Sequence, residues 1–265
     1  MFSTSACTGR PALAAMLPFL VVVVFGAHPA IGQVNTEKLR SFEVNGFATT
    51  IGGDVSLESG NADLFEIGAR ARFDARKDRH YGFLAGEVRY GEEDGETFRD
   101  RAFVHVRYTY RVLPWLVPET FAQVQEDGFK LLQLRALYGL GLRLRYVDTD
   151  RVKLFQGTTP MLEYENLDGS KVVEHPSTVQ TARWSNYVNV RLRLSDTTFL
   201  VHTIYIQPEI GDANDYRVLD EASLGVKVTK HVLLRVAFVL SYDSQPPDNI
   251  ERLDIALRNG LEVTF

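Results

Sequence analysis

From Glu251 to Phe265 the chain alternates apolar and polar residues with a period of two. Leu253, Ile255, Leu257, Leu261, Val263 and Phe265 fall on one side, and Asp254, Ala256, Arg258, Gly260, Glu262 and Thr264 on the other. That period belongs to a β-strand with one greasy and one wet face. The same pattern recurs upstream. In one segment Phe65, Ile67, Ala69, Ala71 and Phe73 alternate with Glu66, Arg70, Arg72 and Asp74. In another Val104, Val106, Tyr108 and Tyr110 alternate with Phe103, His105, Arg107, Thr109 and Arg111. The longest run sets Leu132, Leu134, Ala136, Tyr138, Leu140, Leu142, Leu144 and Tyr146 against Gln133, Arg135, Gly139, Gly141, Arg143 and Arg145. A helix cannot hold this period and still bury a single stripe.

Twelve such segments are expected: 47–59, 63–75, 80–90, 98–112, 116–126, 129–147, 151–165, 180–194, 197–210, 215–228, 232–243 and 251–265. Pro118 cannot donate to a ladder and predicts a bulge or strand edge. Gly91–Glu96 reads as an acidic loop, and residues 166–179 as the longest loop. Connections after even-numbered segments are short, and most of those after odd-numbered ones are longer and more polar, the asymmetry of a barrel with periplasmic turns and outer loops. An even count puts both termini on the periplasmic side. Ten or fourteen strands fit the pattern less well. The fold class is therefore all-β: a transmembrane, antiparallel, up-and-down β-barrel of about twelve strands. A soluble sandwich is the competing reading, but it leaves the apolar face and Phe265 uncovered.

Composition fits this picture. The 265 residues are 45% apolar and 24% charged, with mean hydropathy -0.11, too polar for a bundle of membrane helices. The formal charge of -5 comes from 29 basic and 34 acidic residues that are closely interspersed. Nucleic-acid binding calls for a clustered basic patch, so no nucleic-acid partner is expected. Residues 11–27 are nearly all apolar after Arg10, and Ala30-Ile31-Gly32 follows as a small-x-small site. This pattern predicts a signal peptide over residues 1–32, a periplasmic lead-in over 33–46 and the barrel over 47–265. Cys7 is the only cysteine and lies in the part expected to be removed, so no disulfide is expected.

Several segments resemble the bacterial domain-of-unknown-function 481 family, some members of which are labelled salt-induced outer-membrane proteins. They are Phe129–Arg135 running into Gly139–Arg143, Arg183-Trp184-Ser185-Asn186-Tyr187, Tyr205-Ile206-Gln207-Pro208, Asp215-Tyr216-Arg217, Tyr242–Pro247 and Asp254–Phe265. Gly128 departs from the pattern, where Asn is expected. The resemblance spans roughly residues 47–265 and implies the outer membrane of a Gram-negative bacterium. It implies no activity.

The chemistry of the expected inner face is dominated by arginine. Arg70, Arg72, Arg101, Arg107, Arg135, Arg143, Arg145, Arg191, Arg193, Arg217 and Arg258 share its parity with Glu66, Glu87, Glu163, Glu165, Glu221, Asp254 and Glu262. Two readings stand: a small passive channel that guides anionic solutes past guanidinium rows, or a lumen filled by arginine–carboxylate pairs in a structural or stress-response barrel. Lipids are the expected partners of the outer face. A terminal Phe on an alternating strand resembles the signal read by barrel-assembly machinery, so Phe265 is assigned to assembly. Catalysis has little support, because no Gly-x-Ser-x-Gly motif occurs and the strand histidines are only His105, inward by parity, and His202, whose parity is ambiguous. No cofactor or metal is expected. Glu92-Glu93-Asp94, and Asp212 with Asp215, read as solvated acidic loops rather than calcium ligands. Tyr108, Tyr110, Trp115, Tyr138, Tyr146, Trp184 and Tyr187 are candidates for interfacial girdles, though lumenal packing is open to several of them.

Overall fold

A computed structural model describes residues 45–58, 64–248 and 250–264. Twelve antiparallel strands follow one another: β1 (Gly46–Glu58), β2 (Leu64–Lys77), β3 (His80–Glu93), β4 (Glu96–Tyr110), β5 (Leu116–Asp127), β6 (Leu132–Asp148), β7 (Val152–Leu167), β8 (Thr178–Arg193), β9 (Thr198–Pro208), β10 (Tyr216–Lys227), β11 (Val232–Asp243) and β12 (Leu253–Thr264). Each pairs with its sequence neighbours, and β1 pairs with β12 to close the barrel. The closing seam is short, with register Thr50↔Thr264, Ile51↔Val263 and Gly52↔Glu262. Arg70 on β2 reaches across it, Nη2 donating to the Leu261 carbonyl at 3.2 Å. Gly52 makes that path, since a Cβ there would lie 2.6 Å from Arg70 Nε.

Polarity is inside out, as the alternation predicts. Val104, Val106, Tyr138, Leu140, Leu142, Ile255 and Leu257 are exposed on the outer wall. Arg72, Asp74, Arg107, Glu119, Arg135 and Glu163 are buried in the lumen. Among the described residues, buried polar and charged side chains outnumber buried apolar ones. Such a surface fits hydrocarbon outside and a self-contained polar interior.

Aromatic rings and glycines interlock along the inner wall. Phe121 faces Gly139, Tyr187 faces Gly157 and Phe199 faces Gly225 across adjacent strands. The Cβ of an alanine at these glycines would lie 2.4 Å from Phe121 Cε1, 1.9 Å from Tyr187 Cε1 and 2.4 Å from Phe199 Cζ, so each ring lies flat over a strand that has no side chain there. This packing narrows the lumen from inside.

The structure corrects several expectations. The stretch Gly91–Glu96 is not a loop: β3 and β4 continue to the pair Glu93↔Glu96, and Asp94-Gly95 turns between them with φ of 51° and 82°. Positive φ at both positions is the preferred two-residue hairpin turn, and Asp-Gly is its common sequence. Of the two outcomes expected at Pro118, the structure shows the edge of a ladder and no bulge. Pro118 lies one residue beyond the last β4–β5 pair, Thr109↔Glu119, while the β5–β6 register runs on through Pro118↔Leu142. The irregularities fall instead at Gly91/Glu92, Gln125/Asp127, Leu132/Leu134 and Arg145/Val147. Leu132, expected on the lipid face, is therefore turned inward and buried, while Gln133, expected inward, is exposed. Tyr187, a girdle candidate, is buried in the lumen, whereas Tyr108, Trp115, Tyr138, Tyr146 and Trp184 are exposed.

Gly157→Ala should cost at least about 1–3 kcal/mol, the usual penalty of overpacking, because the Tyr187 ring must leave its place. Urea unfolding of the refolded barrel in lipid vesicles, followed by tryptophan fluorescence, checks this.

Candidate functional site

The lumen is crossed by a cluster of charges near the end that carries the β5–β6 and β7–β8 connections. Arg135 on β6 donates from Nε to Glu165 at 2.8 Å and lies 3.0 Å from Glu163, both on β7. Arg183 on β8 holds Glu163 at 2.8 Å and grips Asp215 with two bonds of 2.9 Å. Arg217 on β10 pairs with Glu163, lies 3.3 Å from Glu165 and donates to Asp243 at 2.8 Å. Glu163 thus sits among three guanidiniums, and its side chain is 1% exposed. Alternation explains the convergence, because Arg135, Glu163, Glu165, Arg183 and Arg217 all take inward parity on β6, β7, β8 and β10. The Arg217–Glu163 and Arg217–Glu165 contacts span three strands of circumference.

Other bonds also cross the lumen. Lys130, in the 3-10 turn at Gly128–Lys130 between β5 and β6, donates to Asp254 on β12 at 2.7 Å. That bond joins opposite walls. Tyr187 on β8 donates to Glu119 on β5 at 3.1 Å, and Arg107 lies 3.4 Å from the same carboxylate. Beside them His105 is stacked between Phe83 and Phe121, with centroids 5.5 Å away on each side, and bonds Gln123 at 3.0 Å. Toward the opposite end, near the β2–β3 turn, Arg72 donates to Asp74 at 2.7 Å and sits 3.7 Å above the Phe83 ring.

Two small cavities flank the charged cluster. A cavity of about 40 Å³ lies on one side of the charged cluster, lined among others by Gln123, Thr159, Ser185, Tyr205 and Gln207. A second of about 20 Å³ lies toward the outer rim, under Pro246, Pro247 and Ile250. Arg135 and Arg217 line both and separate them. Volumes of this size hold a few waters. The Thr159 hydroxyl is buried without a partner among the described residues, a site that a water would satisfy.

Two outer loops are tied together over this end. The Asp248 carboxylate accepts from the backbone N–H of Val173 at 2.5 Å, Glu174 at 2.8 Å and His175 at 3.3 Å. These three donors hold its pKa below the ordinary carboxylate value. Asp168, at the base of the same loop, is lowered by the Ser170 hydroxyl and backbone N–H.

The inward arginines do not form one open row. Arg70, Arg72, Arg107, Arg135 and Arg217 engage carboxylates, backbone or rings in the ways given above. Arg101 meets Glu87 at 2.6 Å, and Arg143 lies 4.0 Å over the Phe155 ring. Arg145 pairs with Asp148, and Arg191 donates to Asn189 at 3.2 Å. Arg193 is exposed at the C-terminal end of β8, and Glu221 is buried on β10. The side chains of Arg258 and Glu262, and Phe265 altogether, lie outside the described residues, as do residues 1–44. Arg183, Asp215, Asp243 and Lys130 belong to the cluster without standing among the lumen residues expected from sequence. Arg183 has the parity of Arg191 and Arg193, a signal that could have found it. Lys130, Asp215 and Asp243 lie at strand ends or in a turn, where alternation says little.

The matching family model covers residues 50–265 and carries the description "Protein of unknown function, DUF481". The chain belongs to the domain-of-unknown-function 481 family. No curated protein matches it. Among solved structures it is similar to the NanC porin at 10% identity, TM-score 0.50, over 82% of this chain and 99% of that one. It is also similar to the KdgM porin in complex with disordered oligogalacturonate, at 12% identity and TM-score 0.47, over 83% and 99%. A third is the translocator domain of the autotransporter NalP from Neisseria meningitidis, at 11% identity and TM-score 0.43, over 83% and 87%. At these identities the likeness is one of fold.

For this family member no group of three or more His, Cys, Asp or Glu among the described residues is placed to hold a metal. Asp215 has both oxygens on Arg183, and Asp212 accepts from Asn214. His105 is enclosed by aromatic rings. His202 points outward from β9, and its side chain bonds only Asp220 among the described residues.

Two outcomes follow. Arg217→Met removes one of the guanidiniums that hold Glu163 and Glu165, and the one that Asp243 bonds, and should destabilise the barrel by about 3–5 kcal/mol, the cost of breaking a buried pair. Adding Glu165→Gln should recover part of that loss, as a double-mutant unfolding cycle would show. For Asp248 the lowered pKa means that its tie is complete above the ordinary value of 3.8 and is lost only as pH falls through the lower folded value. The amide proton shifts of Val173, Glu174 and His175 should hold at pH 4 and move below it, while Asp248→Asn removes the transition.

Proposed function

We propose that this protein is an outer-membrane barrel of a Gram-negative bacterium whose lumen is sealed at rest by a charged septum. The observation that carries this reading is the set of side-chain bonds across the lumen: Lys130 to Asp254, Tyr187 to Glu119, and Arg217 to Glu163 and Glu165. A solute passing through would have to break several of these in a low-dielectric interior, where each unpaired charge is costly. The guanidiniums that would have guided anions are largely occupied by neighbouring carboxylates. Such a barrel serves as a structural or stress-response element of the membrane.

The exposed apolar wall supports lipids as the surrounding partner, and the alternating β12 supports insertion by barrel-assembly machinery through the C-terminal strand. A non-catalytic role is supported by the three strand histidines: His105 is enclosed by rings, His80 bonds the Tyr108 hydroxyl, and His202 bonds Asp220, with no serine or cysteine hydrogen-bonded to His80 or His202 among the described residues.

A second reading is favoured by the periplasmic mouth, where Arg143, Arg145, Arg191 and Arg193 gather. This is a small anion-guiding channel, opened when the septum rearranges.

Planar-bilayer recording separates the two. The refolded protein should show no discrete openings at neutral pH under conditions where a known porin conducts. Replacing Arg135, Glu163 and Arg217 together by Ala should introduce openings. Frequent anion-selective openings of the unmodified protein that lose selectivity when Arg143, Arg145, Arg191 and Arg193 are neutralised would establish the channel instead.

A further inference from the structure

On the outer wall, at the end of the barrel that carries the β2–β3 turn, apolar cover gives way to polar side chains over three rows. The first row pairs Phe73 with Leu84 and Leu84 with Val106, all three exposed. The second pairs Ala75 with Gly82 and Gly82 with Tyr108. The third, at the strand ends, pairs Lys77 with His80 and His80 with Tyr110. Residues paired directly across strands share a face, with Cβ atoms about 5 Å apart. Tyr81 and Thr109, next to His80 and Tyr110, are buried in the lumen, and Arg76 lies over the Tyr81 ring. The third row therefore faces outward. Successive rows on one face are about 7 Å apart along the strand. The headgroup layer of a bilayer is about 5–7 Å thick on each side. One row thus suffices to pass from the hydrocarbon at Tyr108 to headgroups at Lys77, His80 and Tyr110.

The third row presents donors with nothing to donate to. The Tyr108 hydroxyl lies 2.6 Å from His80 Nδ1, and the imidazole and Tyr110 rings pack with centroids 4.9 Å apart. A hydroxyl donating to Nδ1 leaves the ring proton on Nε2. Among the described residues that nitrogen has no partner, and neither has the Lys77 ammonium or the Tyr110 hydroxyl. Asp78 and Arg79, in the turn, carry one charge of each sign, and Asp78 forms no ion pair with Lys77. The local excess charge is therefore that of Lys77.

A phosphodiester matches this set. Its two unbridged oxygens share one negative charge and accept several hydrogen bonds. Lys77 supplies the opposite charge, His80 Nε2 and the Tyr110 hydroxyl supply directed donors, and the Tyr108–His80 bond fixes the imidazole. Charge-assisted bonds of this kind are the strong ones. The acyl chains of the same molecule would lie along Phe73, Leu84 and Val106, so a lipid gains from both parts of the surface and a free anion from one.

We propose that Lys77, His80 and Tyr110 form a binding site for the phosphate of a phospholipid headgroup. The proposal rests on the membrane reading and not on whether the lumen conducts. Native mass spectrometry of the full chain tests it, with the protein released from micelles of an uncharged, phosphate-free detergent and titrated with phosphatidylglycerol. Heat-modifiable gel migration and flotation with lipid vesicles check separately that each variant is a folded membrane barrel. One adduct should form at lower lipid concentration than any further ones. Lys77→Ala with His80→Ala should raise the concentration needed for it about tenfold, the loss of one charge-assisted hydrogen bond. Lys77→Gln alone, a milder change at an exposed strand end, should raise it about fivefold, the worth of one lysine at an anionic surface. Lys230→Ala removes an exposed lysine from the β10–β11 turn at the same end and should change nothing. Diacylglycerol, which lacks the phosphate, should give no such adduct, and inorganic phosphate at equal concentration should not displace the lipid. A first adduct equally strong in the Lys77 variants, one equally strong with diacylglycerol, displacement by inorganic phosphate, or a two-chain mass without lipid overturns the proposal. A chain that fails to float with vesicles overturns the membrane reading instead, and the flotation assay tells the two failures apart.

Discussion

In hydrocarbon no water is left to pair with a backbone N–H or C=O, and this constraint shapes the whole molecule. A strand can enter only with partners on both sides, so the sheet must close. Among the described residues closure rests on three paired positions between β1 and β12, the shortest seam in the barrel, with Arg70 donating to a β12 carbonyl beside it. Once the ladder is closed, each strand has one face to lipid and one to the lumen. The period-two sequence follows from that division, and so does the inverted polarity.

The second consequence is a lumen that must satisfy itself. Guanidiniums and carboxylates brought inward by parity cannot all be hydrated in a narrow barrel, so they pair, and their reach lets them pair across the lumen rather than only along it. Aromatic rings lying over Gly139, Gly157 and Gly225 take up much of the remaining width. Function is constrained accordingly. A lumen built for conduction needs polar groups that face water, whereas here Glu163 is shared by three arginines and the space on either side holds a few waters. The loops above the septum are tied by Asp248 outside the membrane, where its carboxylate meets three backbone donors. The same logic marks His202 and Asp220 as unusual, since the wall outside is the one place where polar groups have neither water nor lumen partners.

Much of the fold was legible in the chain because alternation is a local signal that closure preserves. Strand number, order and the facing of most residues follow from it. The places where that reading slips are those where local chemistry is overridden. The acidic stretch before Thr97 looks like a solvated loop, yet Asp94-Gly95 accepts positive φ and lets the hairpin run to its tip. Parity carried through β6 puts Leu132 toward lipid, but the shift at Leu132/Leu134 turns it inward. Tyr187 was open to either side of the wall, and the structure places it in the lumen against Glu119. Arginine was visible as the dominant inward residue. Its partners were not, because pairing depends on which strands lie across the lumen from one another.

By itself the sequence determined a barrel with an apolar wall and a charged interior, because period and composition act residue by residue along the strand. Only the tertiary structure decided that those charges meet as a septum and that His202 and Asp220 meet outside it. Both depend on the register between strands and on distances across a closed ring, and neither of these is written in the period of any single strand.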